Sequence, residues 1–198
     1  MNLHLSMVAL VMVVICGSAG AYTASTLENT NDPSSNAQTP APTDPQIAAI
    51  TVAADHVAIE TGVLARAKTH NLELLHLADR LVGYHQRDSI LTYRLMSKLN
   101  LFPEENEASQ NLIEAGKTNR LTLQNLSGAA FDRVFLEQMI AYQRQLLATL
   151  EGTLIPCARN ADLKTFLIQE KSEISDDLAL TLKTQTLTQA MISTKKKA

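Results

Sequence analysis

The chain has no tryptophan, and aromatic residues make up only 4% of it. Packed β-sheets rely on aromatic and β-branched side chains to fill their inner faces. With few aromatics and many Leu, Ala, Thr and Gln, this sequence suits a helical domain instead. Strand-like alternation and Asn-Gly hairpin turns are also missing. The pair of Glu-x-x-His motifs on which the usual di-iron bundle depends is missing as well, which argues against that oxidase or ferritin chemistry. There is no Cys-x-x-Cys, no Gly-rich phosphate loop and no Ser-His-Asp order. A basic field is lacking: the net charge is -3. The run Lys195-Lys196-Lys197 reads as a solvated tail, so nucleic acid is not an expected partner. Cysteine is scarce, with Cys16 and Cys157 alone. If Cys16 leaves with a cleaved leader, the mature chain keeps one thiol, Cys157, and forms no internal disulfide.

What is present begins with an apolar stretch over residues 5–15, of signal-peptide length and too short to span a bilayer. Ala19-Gly20-Ala21 supplies small residues for cleavage before Tyr22. Ile15 ahead of Cys16 argues against lipidation, which needs a small residue there. Residues 1–21 therefore read as a signal peptide. Residues 22–43 are rich in Pro, Ser, Thr and Asn, with little to bury against the entropy of ordering, and read as a disordered linker. A bundle domain is expected over 44–192, with a basic tail over 193–198.

Helical spacing dominates the rest. The strongest stripe is Phe131, Phe135, Met139, Tyr142, Leu146 and Leu150, at steps of three and four. Ser127-Gly128 is its expected start, with Asp132 and Arg133 bracing the first turn. Upstream, one helix should open near Thr43 or Asp44 with Pro45 at its first helical position and run to about Thr69. A second should span 71–99, with the stripe Leu74, Leu77, Leu81, Tyr84 or His85, Asp88, Leu91 and Leu95. A short helix over 104–115, broken at Gly116, should form part of a crossover. The last helix should start near Asn160 and extend to about Ile192. These elements predict an all-α, antiparallel four-helix bundle with a longer, partly helical crossover.

Several segments, in order, carry a resemblance: Ala58-Ile59-Glu60, then Leu77-Ala78-Asp79-Arg80-Leu81-Val82-Gly83-Tyr84-His85, then Leu126-Ser127-Gly128-Ala129-Ala130-Phe131-Asp132-Arg133-Val134-Phe135, and the last helix over 174–180. Over about 44–188 the chain resembles the bacterial domain-of-unknown-function family 4142, exported proteins often labelled outer-membrane proteins. The resemblance implies a ferritin-like bundle and export, and no established activity. It also implies a histidine on each of three core helices. This chain keeps the first as His85 and has Gln143 and Asp177 at the other two positions. Tyr84 replaces the acid usually found before the first histidine, and Ala130 replaces a glutamate of the Phe-Asp-Arg segment.

Glu60, His85, Gln143 and Asp177 could thus form one polar core layer. Glu60, His85 and Asp177 are the candidate ligands for a divalent metal. The competing reading is a hydrogen-bonded layer that sets helix register, with no cofactor. The expected role is non-enzymatic binding or envelope structure, in the periplasm or at the outer membrane of a Gram-negative bacterium. The alternatives are a single-site metal bundle with a redox or storage role, and an adaptor that uses the last helix from Ile174 to Ile192. The partner class is open: an envelope protein, a membrane surface or a further copy of the chain.

Overall fold

The structure, a computed structural model, describes residues 40–195. The expected signal peptide, nearly all of the linker and the last three residues of the basic tail lie outside the described residues. The elements are α1 (Asp44–Lys68), α2 (Leu72–Lys98), α3 (Glu107–Gln124), α4 (Gly128–Thr149), a π-helical turn (Leu150–Leu154), α5 (Ile155–Cys157) and α6 (Ala161–Lys195). There is no strand among the described residues.

The helix boundaries follow from capping chemistry. Thr43 accepts from the Gln46 amide while the Gln46 side chain accepts from the Thr43 amide, a closed capping box ahead of Pro45. Asn71 caps α2 through the Glu73 amide. The expected start of α4 is built differently. Ser127 sits at the cap position without a side-chain bond, and Gly128 takes φ 55°, a left-handed value that glycine adopts without a Cβ penalty. Pro156 has no N–H and crowds the carbonyl four residues back. The chain accommodates it by widening to a π turn, in which the Ile155 amide reaches Leu150. Helix α6 continues through Lys195, past the boundary expected at Ile192.

Helices α1, α2, α6 and α4 form a ring of antiparallel neighbours. Cross-links fix the directions: Thr69 to Asp132 and Tyr142 to Ala54 join α1 and its C-terminal turn to α4, while Arg80 to Asp177 and Lys98 to Asp162 join α2 to α6. Helix α3 is the crossover from α2 to α4 and packs outside the ring along α1. It is one continuous helix through Gly116, not a short helix broken there. The reason is a close approach: a Cβ at Gly116 would lie 2.6 and 2.7 Å from the two Val57 methyls. The glycine is a packing notch, and its helical cost is about 1 kcal/mol. Gly116→Ala should therefore destabilise the protein by about 1–3 kcal/mol through overpacking. In a Val57→Ala background the same change should be neutral or stabilising. Urea melts of the four proteins in that cycle check this, and a stabilising single mutant would refute the contact.

The expected α4 stripe faces inward. Phe131 and Phe135 are fully buried and stacked at 6.0 Å between ring centroids, with Met139, Leu146 and Leu150 also buried. Asp132 is buried and accepts the Thr69 hydroxyl at 2.7 Å, tying the α1–α2 turn to α4. Arg133 faces solvent and makes a two-pronged pair with Glu137. On α2 the lower stripe differs from expectation. Leu91 is exposed and Leu95 half-buried, while Thr92 and Met96 are buried. Polar Thr92 hid the true register.

A buried acidic candidate metal site

Three carboxylates from three helices converge in the core. Asp55 (α1), Asp88 (α2) and Glu170 (α6) each place an oxygen within 4.8 Å of the others, and all three are buried. The stripes explain the arrangement. On α6 the buried positions are Leu163, Leu167, Glu170, Ile174, Asp177 and Thr181, continuing at Thr184 and Thr188. Steps of four and three keep this seam facing the ring, so Glu170 and Asp177 are carried into the interior by register. On α2, Leu81, His85, Asp88 and Thr92 follow the same rule. Asp55 lies in an Ala-rich helix buried on two faces, by α3 outside and by the ring inside.

His85 Nδ1 lies 2.8 Å from Asp55 Oδ1, so one proton is shared between ring and carboxyl. Asp55 Oδ2 has no hydrogen-bond partner, and neither has Glu170 Oε2. The third acid is held from the side: Tyr84 donates its hydroxyl to Asp88 Oδ2 at 3.1 Å. Tyr142 borders the cluster and donates to the Ala54 carbonyl at 2.7 Å.

Electrostatics follow from burial. Desolvation, then the charge of Asp88, holds the Asp55 carboxyl well above its usual range. Glu170 is raised by burial first and then by Asp55, Asp88 and Glu173. Burial raises Asp88, against the Tyr84 hydrogen bond. Burial lowers His85 to about 4, although Asp177 and Asp88 oppose this. Tyr142 is raised by burial and by the negative charges of Asp55 and Glu170. Without a cation, burial favours the protonated forms of these carboxyls. With one, the cluster can offer up to three anionic ligands, with His85 behind Asp55 to orient it.

The structure places the residues singled out from the sequence as follows. His85, Gln143 and Asp177 are all buried. Gln143 has neither amide atom satisfied. Asp177 bonds Arg80 Nε at 2.6 Å through one oxygen, and burial still raises its carboxyl despite that arginine. Glu60 does not join them. It is half-exposed on the α1–α3 rim, paired with Arg120 and His56. The sequence reading missed Asp55 and Glu170, and noted Asp88 only as a polar interruption of the α2 stripe, not as a ligand. The signal for Glu170 was its place in the α6 seam. One Glu-x-x-His does occur, from Glu73 to His76, with both residues exposed at the start of α2. Cys157 is buried next to Leu154 in the core at the α5 end.

Among known proteins, no curated protein matches the chain. A crystal structure of a protein described as secreted, of family DUF305 from Streptomyces coelicolor, superposes with a TM-score of 0.60 at 14% identity, covering 70% of this chain and 88% of that one. That likeness shows the helical fold. The model of the domain of unknown function DUF4142 matches residues 29–181. On that match, which takes in every bundle helix up to the Asp177 turn of α6, the chain belongs to the DUF4142 family.

Proposed function

We propose that this protein is an exported helical bundle that binds one divalent cation in its core, a binding role and not a catalytic one. One observation carries the reading: three carboxylates from separate helices meet within 4.8 Å in the interior, and two of their oxygens have no partner. Buried polar atoms are normally hydrogen-bonded, and buried carboxylates are paired or bind metal. The donor set is all oxygen, which suits a hard cation such as Mn²⁺ better than a soft one. Calcium usually takes six to eight oxygens, drawn from carbonyls and waters as well as carboxylates. Export is supported by the leader over residues 1–21 and accords with the description of the DUF305 neighbour as secreted.

The test is metal content. Protein purified from the periplasm without a chelating tag, then dialysed against Mn²⁺ and desalted, should hold about one equivalent per chain, the stoichiometry of a single closed site. The double variant Asp88→Asn/Glu170→Gln should hold almost none. A folded wild-type protein that retains no Mn²⁺, Fe²⁺ or Zn²⁺ would overturn the reading and favour a protonated polar layer that only sets register.

A further inference from the structure

The acids connect to the surface along the seam between α2 and α6. Asp88 is covered by Tyr84, whose hydroxyl it accepts. Tyr84 is in turn covered by Arg87, whose guanidinium sits 5.1 Å from the ring centroid. Arg87 is more than half exposed and pairs with Glu173, one helical turn beyond Glu170 on α6. The negative charge of Glu173 contributes to raising both Asp88 and Glu170, so it is electrostatically coupled to the cluster from the solvent side. The Arg80–Asp177 pair closes the seam on the other side of Tyr84.

We propose that Glu173 is the capture ligand through which a divalent cation reaches the triad, and that Arg87 latches this route by occupying Glu173 and pinning Tyr84 over Asp88. The inference rests on the reading of the triad as a cation site. Arg87 is a single, delocalised charge on an exposed side chain. A dication arriving at Glu173 carries twice that charge and competes with Arg87 for Oε2, while Oε1 accepts from the neutral Gln169 side chain. Once Arg87 swings into solvent, the Tyr84 ring loses its outer cover and keeps only the edge-on contact with the His85 ring, 4.8 Å between centroids. Rotation of Tyr84 then frees Asp88 Oδ2, and the cation passes from Glu173 to Asp88 and Glu170. Asp88 would thus exchange a neutral hydroxyl donor for the cation, Tyr84 keeping its proton, and any proton held by the ligating carboxyls leaves to solvent as the cation binds.

Stopped-flow loading of the mature chain with Co²⁺ or Mn²⁺, read by quenching of tyrosine fluorescence, tests the route. Glu173→Gln should slow association by about tenfold, as expected when a focusing charge at a site mouth is lost, while the final stoichiometry is unchanged. Arg87→Gln should speed loading and release alike and leave affinity nearly unaltered. Arg87→Lys, which keeps the charge but loses the flat stacking group, should fall between it and wild type. Wild-type loading rates in both Glu173→Gln and Arg87→Gln, with Asp88→Asn still abolishing binding, would overturn the latch and leave the metal site standing. Absence of binding by folded wild-type protein would instead remove the metal site, and the latch with it.

Discussion

Mn²⁺ at a thousand times its dissociation constant should stabilise the wild-type protein by about 4 kcal/mol at pH 7.5, because a ligand that binds only the folded state contributes RT ln(1 + [L]/Kd). For a domain of this size that corresponds to a melting temperature higher by about 10 °C. The three carboxylates come from α1, α2 and α6, so no unfolded segment can present them together. The whole binding energy therefore appears as folding energy. Asp88→Asn/Glu170→Gln should show no such shift. Its metal-free form should melt at or above the wild type, since two buried acids, one of them Glu170 with an unpartnered oxygen, have been replaced by neutral amides of nearly the same shape. Scanning calorimetry with and without Mn²⁺ checks both statements. An equal Mn²⁺ response in the double variant would place the bound ion elsewhere, for instance on exposed acids.

The bundle was far more legible in the sequence than the site, for a physical reason. Helix limits depend on local chemistry: Thr43 and Asn71 cap α1 and α2 within a residue of the expected starts, and Pro45 stands one position further in than expected. The Phe131 stripe was visible because large apolar residues mark a buried face by themselves. A buried acid gives no such mark. Glu170 stands between Gln169 and Lys171 and looks like surface until the seam from Leu163 to Thr188 is counted through it. Asp55 was masked in another way. Helix α1 is buried on two faces, so its pattern barely distinguishes inside from outside. Glu60 was misplaced for the same reason: its apolar neighbours serve the contact with α3, a crossover whose packing no local pattern announces. His85 was the legible part of the site; Asp88 showed only as a second polar interruption of an otherwise apolar stripe and was not read as a ligand.

The second large effect concerns pH in the absence of metal. Asp55, Asp88 and Glu170 have folded pKa values above their unfolded ones, with burial as the first cause in each case. Over the window from the ordinary carboxylate range up to those raised values, the folded chain binds more protons than the unfolded chain. Stability conferred by these groups is therefore present at low pH and lost as pH rises through the window. His85 acts in the opposite sense. Its pKa falls from 6.5 to about 4 on folding. Its contribution is complete above pH 6.5 and is lost as pH drops toward 4. Between those values the two effects compete; above 6.5 the histidine contribution is constant and the carboxylates act alone. The metal-free protein should thus lose stability as pH rises from the ordinary carboxylate range through the raised values, at up to about 1.4 kcal/mol per pH unit for each carboxyl that holds its proton in the folded state and not in the unfolded one. Because the acids lie within 4.8 Å of one another, they should titrate as one coupled set and not as three separate steps. His85→Gln should steepen the decline below pH 6.5. Saturating Mn²⁺ should flatten or reverse it, since metal binding displaces the same protons. Urea melts across pH 5 to 9 with chelator and with Mn²⁺ measure all three slopes. A His85→Gln profile that stays flat across this whole range without metal would mean that the acids keep close to the ordinary carboxylate range in the core, and the argument for a cation there would lose its electrostatic basis.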